Sequence, residues 1–99
     1  MTISSELNGD ELTIKVEGRF DFSCLQAFRN TYANLSQRPS SYVLDLGDAE
    51  YLDSSALGML LALRDFAGGD DSRITVTNCS EDVKKIFKIT KLNELFNIA

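Results

Sequence analysis

The sequence predicts one α/β domain over residues 1–99, with a mixed sheet of four to five strands, an N-terminal hairpin and helices packed mainly on one face. Three observations lead there. Residues 2–17 alternate apolar and polar side chains on either side of Asn8-Gly9-Asp10. From Ser23 onward, stretches with helical spacing alternate with short strand-like runs, which is the pattern of βαβ units. The polar alternate residues of the hairpin require a wet face, so the helices belong on the other.

The elements follow in order. Ile3, Ser5 and Leu7 alternate with Thr2, Ser4 and Glu6, and Leu12, Ile14 and Val16 alternate with Glu11, Thr13, Lys15 and Glu17. Asn8-Gly9 suits the two central positions of a type I′ turn. Gly18 breaks the pattern. Asp21 or Ser23 can cap the next helix, and Ser23 with Gln26 has capping-box spacing. Leu25, Phe28, Tyr32 and Leu35 recur at helical intervals, and Arg38-Pro39-Ser40 stops that helix. Tyr42 to Leu46 is nearly continuous in strand formers, which suits a strand covered on both faces. Residues 47–53 read as a connection and about Ser54 to Ala67 as the second helix, ended by Gly68-Gly69. Arg73 to Thr77 is a strand with Ile74 and Val76 inward. Ser80 caps a third helix whose acidic start (Glu81, Asp82) and basic end (Lys84, Lys85, Lys88) match the helix dipole. Its apolar stripe is Val83, Ile86 and Phe87. Leu92, Leu95 and Phe96 read as a last helical turn or strand.

Composition excludes several classes of function. The chain has 99 residues, 43% hydrophobic and 25% charged, and a net charge of −5. These are globular proportions. The longest nearly apolar run, Ala56 to Leu63, is far short of the roughly 20 residues that span a bilayer. No basic-then-apolar leader opens the sequence, so the expected location is cytoplasmic, without membrane insertion. The acidic balance disfavours nucleic acid. With no histidine there is no Ser-His-Asp triad, no histidine base and no histidine metal ligand. Cys24 and Cys79 cannot form a four-ligand zinc site and read as free thiols. No metal or other cofactor is expected.

Residues 45–64, DLGDAEYLDSSALGMLLALR, carry the most information. On a helical wheel Ala56, Leu57, Leu60, Leu61, Leu63 and Ala67 form an apolar arc, with Met59 and Phe66 at its edge. Ser54, Gly58, Ala62 and Asp65 occupy the opposite arc, with Ser55 at its margin. Small residues there leave a shallow track along which another protein can approach the helix backbone. Ser54 sits at the helix start, as the cap or in the first turn. Asp53 is the alternative cap.

The strand VLDL followed by Leu52-Asp53-Ser54-Ser55-Ala56-Leu57-Gly58 resembles the signature of the STAS domain, named for sulfate transporters and anti-sigma factor antagonists. Gly18-Arg19-Phe20-Asp21 resembles the family's Gly-x-x-Asp element. Val76 to Cys79 resembles its fourth strand, and Val83, Ile86, Phe87, Leu92 and Phe96 resemble its closing helices. Two departures are Ala56, where many members have Gly, and Arg19-Phe20, where an acidic-aliphatic pair is common.

The resemblance implies a freestanding anti-sigma factor antagonist of a partner-switching pathway, hence a phosphoprotein acting in transcription regulation by protein–protein interaction. The unphosphorylated form would bind a serine protein kinase that is also an anti-sigma factor. Phosphorylation of Ser54, the residue at the family's regulatory position, would release it, and a PP2C-type phosphatase would reverse the mark. The candidate partner-binding residues are Asp21, Asp53, Ser54, Ser55, Gly58 and Ala62. The alternative is an accessory subunit docked on the ATPase of an ABC transporter, with the Ser54 hydroxyl as a fixed contact. Catalysis by the chain itself is not expected. Ser54 has no histidine or lysine nearby to activate it, Asp45, Asp48 and Asp53 being the only conceivable bases, and Gly-x-Ser-x-Gly is absent.

Overall fold

The computed structural model describes residues 2–99. Met1 and the Thr2 side chain lie outside the described residues, so the hairpin alternation is followed from Ile3. Five strands, β1 (Thr2–Asn8), β2 (Glu11–Phe20), β3 (Ser41–Leu52), β4 (Ile74–Thr77) and β5 (Asn97–Ile98), form one sheet in that spatial order. β1 is antiparallel to β2 and the other neighbours are parallel. The helices α1 (Leu25–Ala33), α2 (Ser54–Phe66) and α3 (Glu81–Ile89) make the three crossovers. The parallel strands step in one direction across the sheet, so crossovers of one hand place all three helices on one face. Side-chain burial agrees. Leu12, Ile14, Val16, Tyr42, Leu44, Leu46, Ile74 and Val76 are buried, while Thr13, Lys15, Val43, Asp45, Thr75 and Thr77 on the other face are not.

The hairpin turn differs from the expected one. Asn8 pairs with Glu11, so its central residues are Gly9 and Asp10, and only Gly9 has positive φ, at 61°. Glycine at the first central position is the requirement of type II′, not I′. Gly18, with φ 84°, does not end the strand, because β2 continues through it to Phe20. The capping box is not made. Asp21 accepts the Ser23 N–H and hydroxyl at a short 3₁₀ turn over Phe22–Cys24, and Gln26 bonds Asn30 instead. α1 ends at Ala33, before Arg38-Pro39, and Leu35 packs on the core from outside the helix.

The largest correction concerns β3. Its first half is covered on one face only, with Val43 and Asp45 on the other. The segment expected as a connection continues as strand to Leu52. Two bulges hide it. Leu46-Gly47 oppose the single residue Val16, and Glu50 is an extra residue between the pairs Gly18–Ala49 and Arg19–Tyr51. Burial therefore recurs every third residue, at Leu46, Ala49 and Leu52, and the alternation that identifies a strand is lost. Gly47 at the first bulge is closely approached: a Cβ there would come to 3.1 Å from Asn78 Cβ and 3.2 Å from Asp45 Oδ1, so those side chains would have to shift by a few tenths of an ångström.

The core under the helices contains an aromatic row, Phe20–Phe28–Tyr32–Phe66, with centroids 5.1, 5.9 and 5.0 Å apart. The chain end supplies both expected features, a 3₁₀ turn at Leu92–Glu94 and the short β5.

Candidate functional site

The bulged end of β3 delivers Asp53 and Ser54 beside the end of β2. Phe20 pairs with Leu52, and the Asp53 N–H donates to the Phe20 carbonyl at 3.4 Å. Asp53 is the cap of α2. Its Oδ1 accepts the Ala56 N–H at 3.0 Å and the Ser55 hydroxyl at 2.6 Å. The Ser55 hydroxyl first, and the Ala56 N–H next, hold its carboxyl below the ordinary value of 3.8, because both bonds favour the anion. Ser54 is thereby left as the first helical residue. It is exposed, and the hydrogen bonds at this cap use Asp53 and Ser55 but not its hydroxyl. Of the two positions open to Ser54 in the sequence, the first turn is the one it takes.

The outward face of α2 starts at Ser54 and passes Gly58, where an added Cβ would meet nothing within 4 Å. The wheel needs one exchange. Leu61 is 41% exposed, whereas Met59 is 4% exposed and packs in the core. At 100° per residue Leu61 lies 20° from Ser54, while Met59 faces the sheet beside Leu63. Ala62 is exposed but rotated toward α1, where it borders a groove of ≈ 440 Å³ lined by Leu25, Phe28, Tyr32, Met59 and Phe66. The face thus runs Ser54, Gly58, Leu61, Asp65 more directly than Ser54, Gly58, Ala62.

Asp21 stands at the end of β2, adjacent to Asp53 through the Phe20–Leu52 pairing, but its carboxylate holds its own turn and lies 3.7 Å from Arg19 Nε. Arg19 in turn sits 5.0 Å from the centroid of the Tyr51 ring. In the segment that follows β2, Phe22 is 69% exposed and Leu25 is exposed at the rim of the α1–α2 groove. These two and Leu61 are the apolar members of the surface that sequence reasoning missed. The available signal was Phe22, an aromatic residue between Asp21 and Ser23 in a capping turn, outside any periodic stripe.

The three aspartates conceivable as bases for Ser54 are committed elsewhere. Asp53 caps the helix. Asp48 pairs with Lys15 at 3.1 Å and, by that bond, raises the lysine's pKa. Asp45 accepts the Gly47 N–H and the Asn78 amide. Among the described residues no cluster of three or more His, Cys, Asp or Glu is placed to hold a metal, and no helix is long and apolar enough to cross a membrane. Cys24 and Cys79 are unpaired. Cys24 is buried, and burial pushes the Cys79 thiol up.

The helix capped by Asp53, with Ser54 and Gly58 outward beside a sheet covered on one face, is built by the Asp-Ser-Ser-Ala-Leu-Gly element that resembles the STAS signature. The family model described as "Mlab, STAS domain" matches residues 3–97, and the chain belongs to that family. A STAS-domain containing protein of Pseudomonas aeruginosa (strain UCBPP-PA14) is 50% identical over 99 residues, covering 100% of this chain and 98% of the relative. Among solved structures, an anti-sigma factor antagonist from Mycobacterium paratuberculosis superposes with TM-score 0.79 at 23% identity, covering 98% of this chain and 83% of that one. The Bacillus cell fate determinant SpoIIAA in its phosphorylated form gives TM-score 0.71 at 19% identity, covering 99% and 91%. At these identities the structural likeness establishes the fold.

Proposed function

We propose that this protein is an anti-sigma factor antagonist whose affinity for a serine kinase/anti-sigma factor is switched by phosphorylation of Ser54. The observation that carries the reading is the division of labour at the α2 cap. Asp53 and Ser55 bond each other and the backbone, so the exposed Ser54 hydroxyl can be modified without dismantling the cap. The kinase docks across Ser54, Gly58 and Leu61, with Asp21, Phe22 and Ala62 at the margins.

A phosphate adds about −1.5 to −2 charges at pH 7. At the first helical position the dipole tolerates that charge, so the fold survives. The Asp53 carboxylate next to it keeps the local field negative, while Asp48, already paired with Lys15, contributes little. A partner packed on this face meets both bulk and an anion without a counter-ion, which costs several kcal/mol to desolvate. A loss of two to three decades in affinity needs only about 3–4 kcal/mol. A PP2C-type phosphatase restores the binding form.

The test is capture of the partner by the unmodified protein, then ATP and peptide mass spectrometry. Phosphate on Ser54 with release of the complex is expected. Label on Ser55, or a Ser54→Ala variant labelled at the normal rate, rejects the assignment. A stable complex with a transporter ATPase, unaffected by kinase and ATP, selects the fixed accessory-subunit reading instead.

A further inference from the structure

We propose that β1 is a docking edge for a second copy of this chain, the two β1 strands pairing antiparallel about Ser5 to join two sheets into one. β1 lies at the end of the sheet order and has β2 as its one neighbour. The two-residue turn makes Asn8–Glu11 a hydrogen-bonded pair, and bonded pairs then alternate along the hairpin. Ile3, Ser5 and Leu7 fall on the unbonded positions, so their N–H and C=O groups point away from β2. Edge strands are ordinarily blunted by charged side chains, above all lysine, by proline, by a bulge or by a covering helix or loop. From Ile3 to Asn8 β1 has no proline, lysine or bulge; its register with β2 is unbroken and its single charge is Glu6, on the face away from the helices.

The register follows from two independent requirements. A two-fold axis at Ser5 sets Ile3 opposite Leu7 of the second copy and the reverse, and makes these outward-pointing residues the bonded ones, with about six new hydrogen bonds. Ile3, Ser5 and Leu7 also share the helix-side face, since they pair with the core residues Val16, Ile14 and Leu12. Leu7 is nonetheless 49% exposed and Ile3 half-buried, and the cross-strand pair covers both. On the other face Ser4 opposes Glu6, so no like charges meet. A shift of one residue inverts the hydrogen-bond phase, and a shift of two sets Leu7 opposite Ser5.

The interface is isologous. Its ribbon is smaller than the ~1,200 Å² of standard complexes, so dissociation is expected at a Kd on the order of 0.1 mM. Salt strengthens it by screening the repulsion between two chains of charge −5. Both Ser54 faces stay open, because β2 separates β1 from β3.

Sedimentation equilibrium over a range bracketing that Kd, from about 0.02 to about 1 mM, tests the idea. The wild-type chain is expected to show a monomer–dimer equilibrium. Ser5→Pro removes an outward donor without touching the β1–β2 ladder and should give a folded monomer by circular dichroism. Leu7→Lys, which alters only a side chain, should raise Kd at least tenfold. A wild-type chain that stays monomeric throughout, or a dimer that survives both substitutions, overturns the proposal.

Discussion

Replacing Gly58 separates a docking face from a packing contact. Gly58 lies in α2 with ordinary helical sign of φ, and an added Cβ meets open space. Gly58→Ala therefore removes only the backbone-entropy cost of a helical glycine, about 1 kcal/mol, and should raise the Tm of a chain this size by about 4–8 °C. Gly58→Leu adds a larger side chain that also projects outward. Leucine has nearly the helix propensity of alanine, so Tm should again rise or stay level rather than fall by the 1–3 kcal/mol typical of overpacking. The same side chain stands between Ser54 and Leu61, on the surface assigned to the partner. It should lower the affinity for the kinase at least tenfold, or about 1.4 kcal/mol. Melting curves and binding isotherms on one Gly58→Leu preparation give both numbers. A marked drop in Tm would mean that Gly58 is small for internal packing, and an unchanged isotherm would mean that the partner binds elsewhere.

Three further outcomes follow from the structure. The Tyr42 hydroxyl is buried with no hydrogen-bond partner among the described residues, and burial raises its pKa, so Tyr42→Phe should stabilise the fold by up to about 1 kcal/mol; a lower midpoint in urea denaturation contradicts this. Cys24 and Cys79 are structural thiols, and replacing both with Ala or Ser should leave partner affinity within about threefold despite a small packing loss at Cys24, as titration calorimetry can check. Asp53 is depressed in the folded state by Ser55 and the Ala56 N–H. Its stabilisation is therefore complete above the unfolded value near 3.8 and is lost as pH falls through the lower folded value. Asp53→Asn keeps a capping oxygen but does not titrate. The Tm advantage of the wild type should shrink on acidification, and an advantage that grows below pH 3.8 would refute the assignment.

Local chemistry made much of this protein legible from the chain alone. Strict alternation in β2, helical spacing in α1 and α3, and the Ser80 cap act within a few residues of where they are read, while the α2 cap stayed open between Asp53 and Ser54. The Asp-Ser-Ser-Ala-Leu-Gly element pointed to the α2 start in the same way. The type II′ turn was missed because Asn8-Gly9 and Gly9-Asp10 are both acceptable turns locally, and only the pairing of Asn8 with Glu11 selects one.

Other features depended on contacts between distant segments. The second half of β3 was illegible because its bulges exist only against β2, and they replace a two-residue period with a three-residue one. Whether Leu61 or Met59 entered the core depended on the direction from which the sheet and α1 approach α2, since an arc of leucines and a methionine is apolar most of the way round. Asp48 was a conceivable base for Ser54 in the sequence, and only the pairing of β2 with β3 shows it bound to Lys15 instead. The sequence by itself thus determined the order of elements and the serine at a helix start, because propensity, capping and periodicity are local. The tertiary structure alone decided which side chains share the face of Ser54 and which charges remain unpaired there, because those depend on neighbours brought together only by the folded sheet.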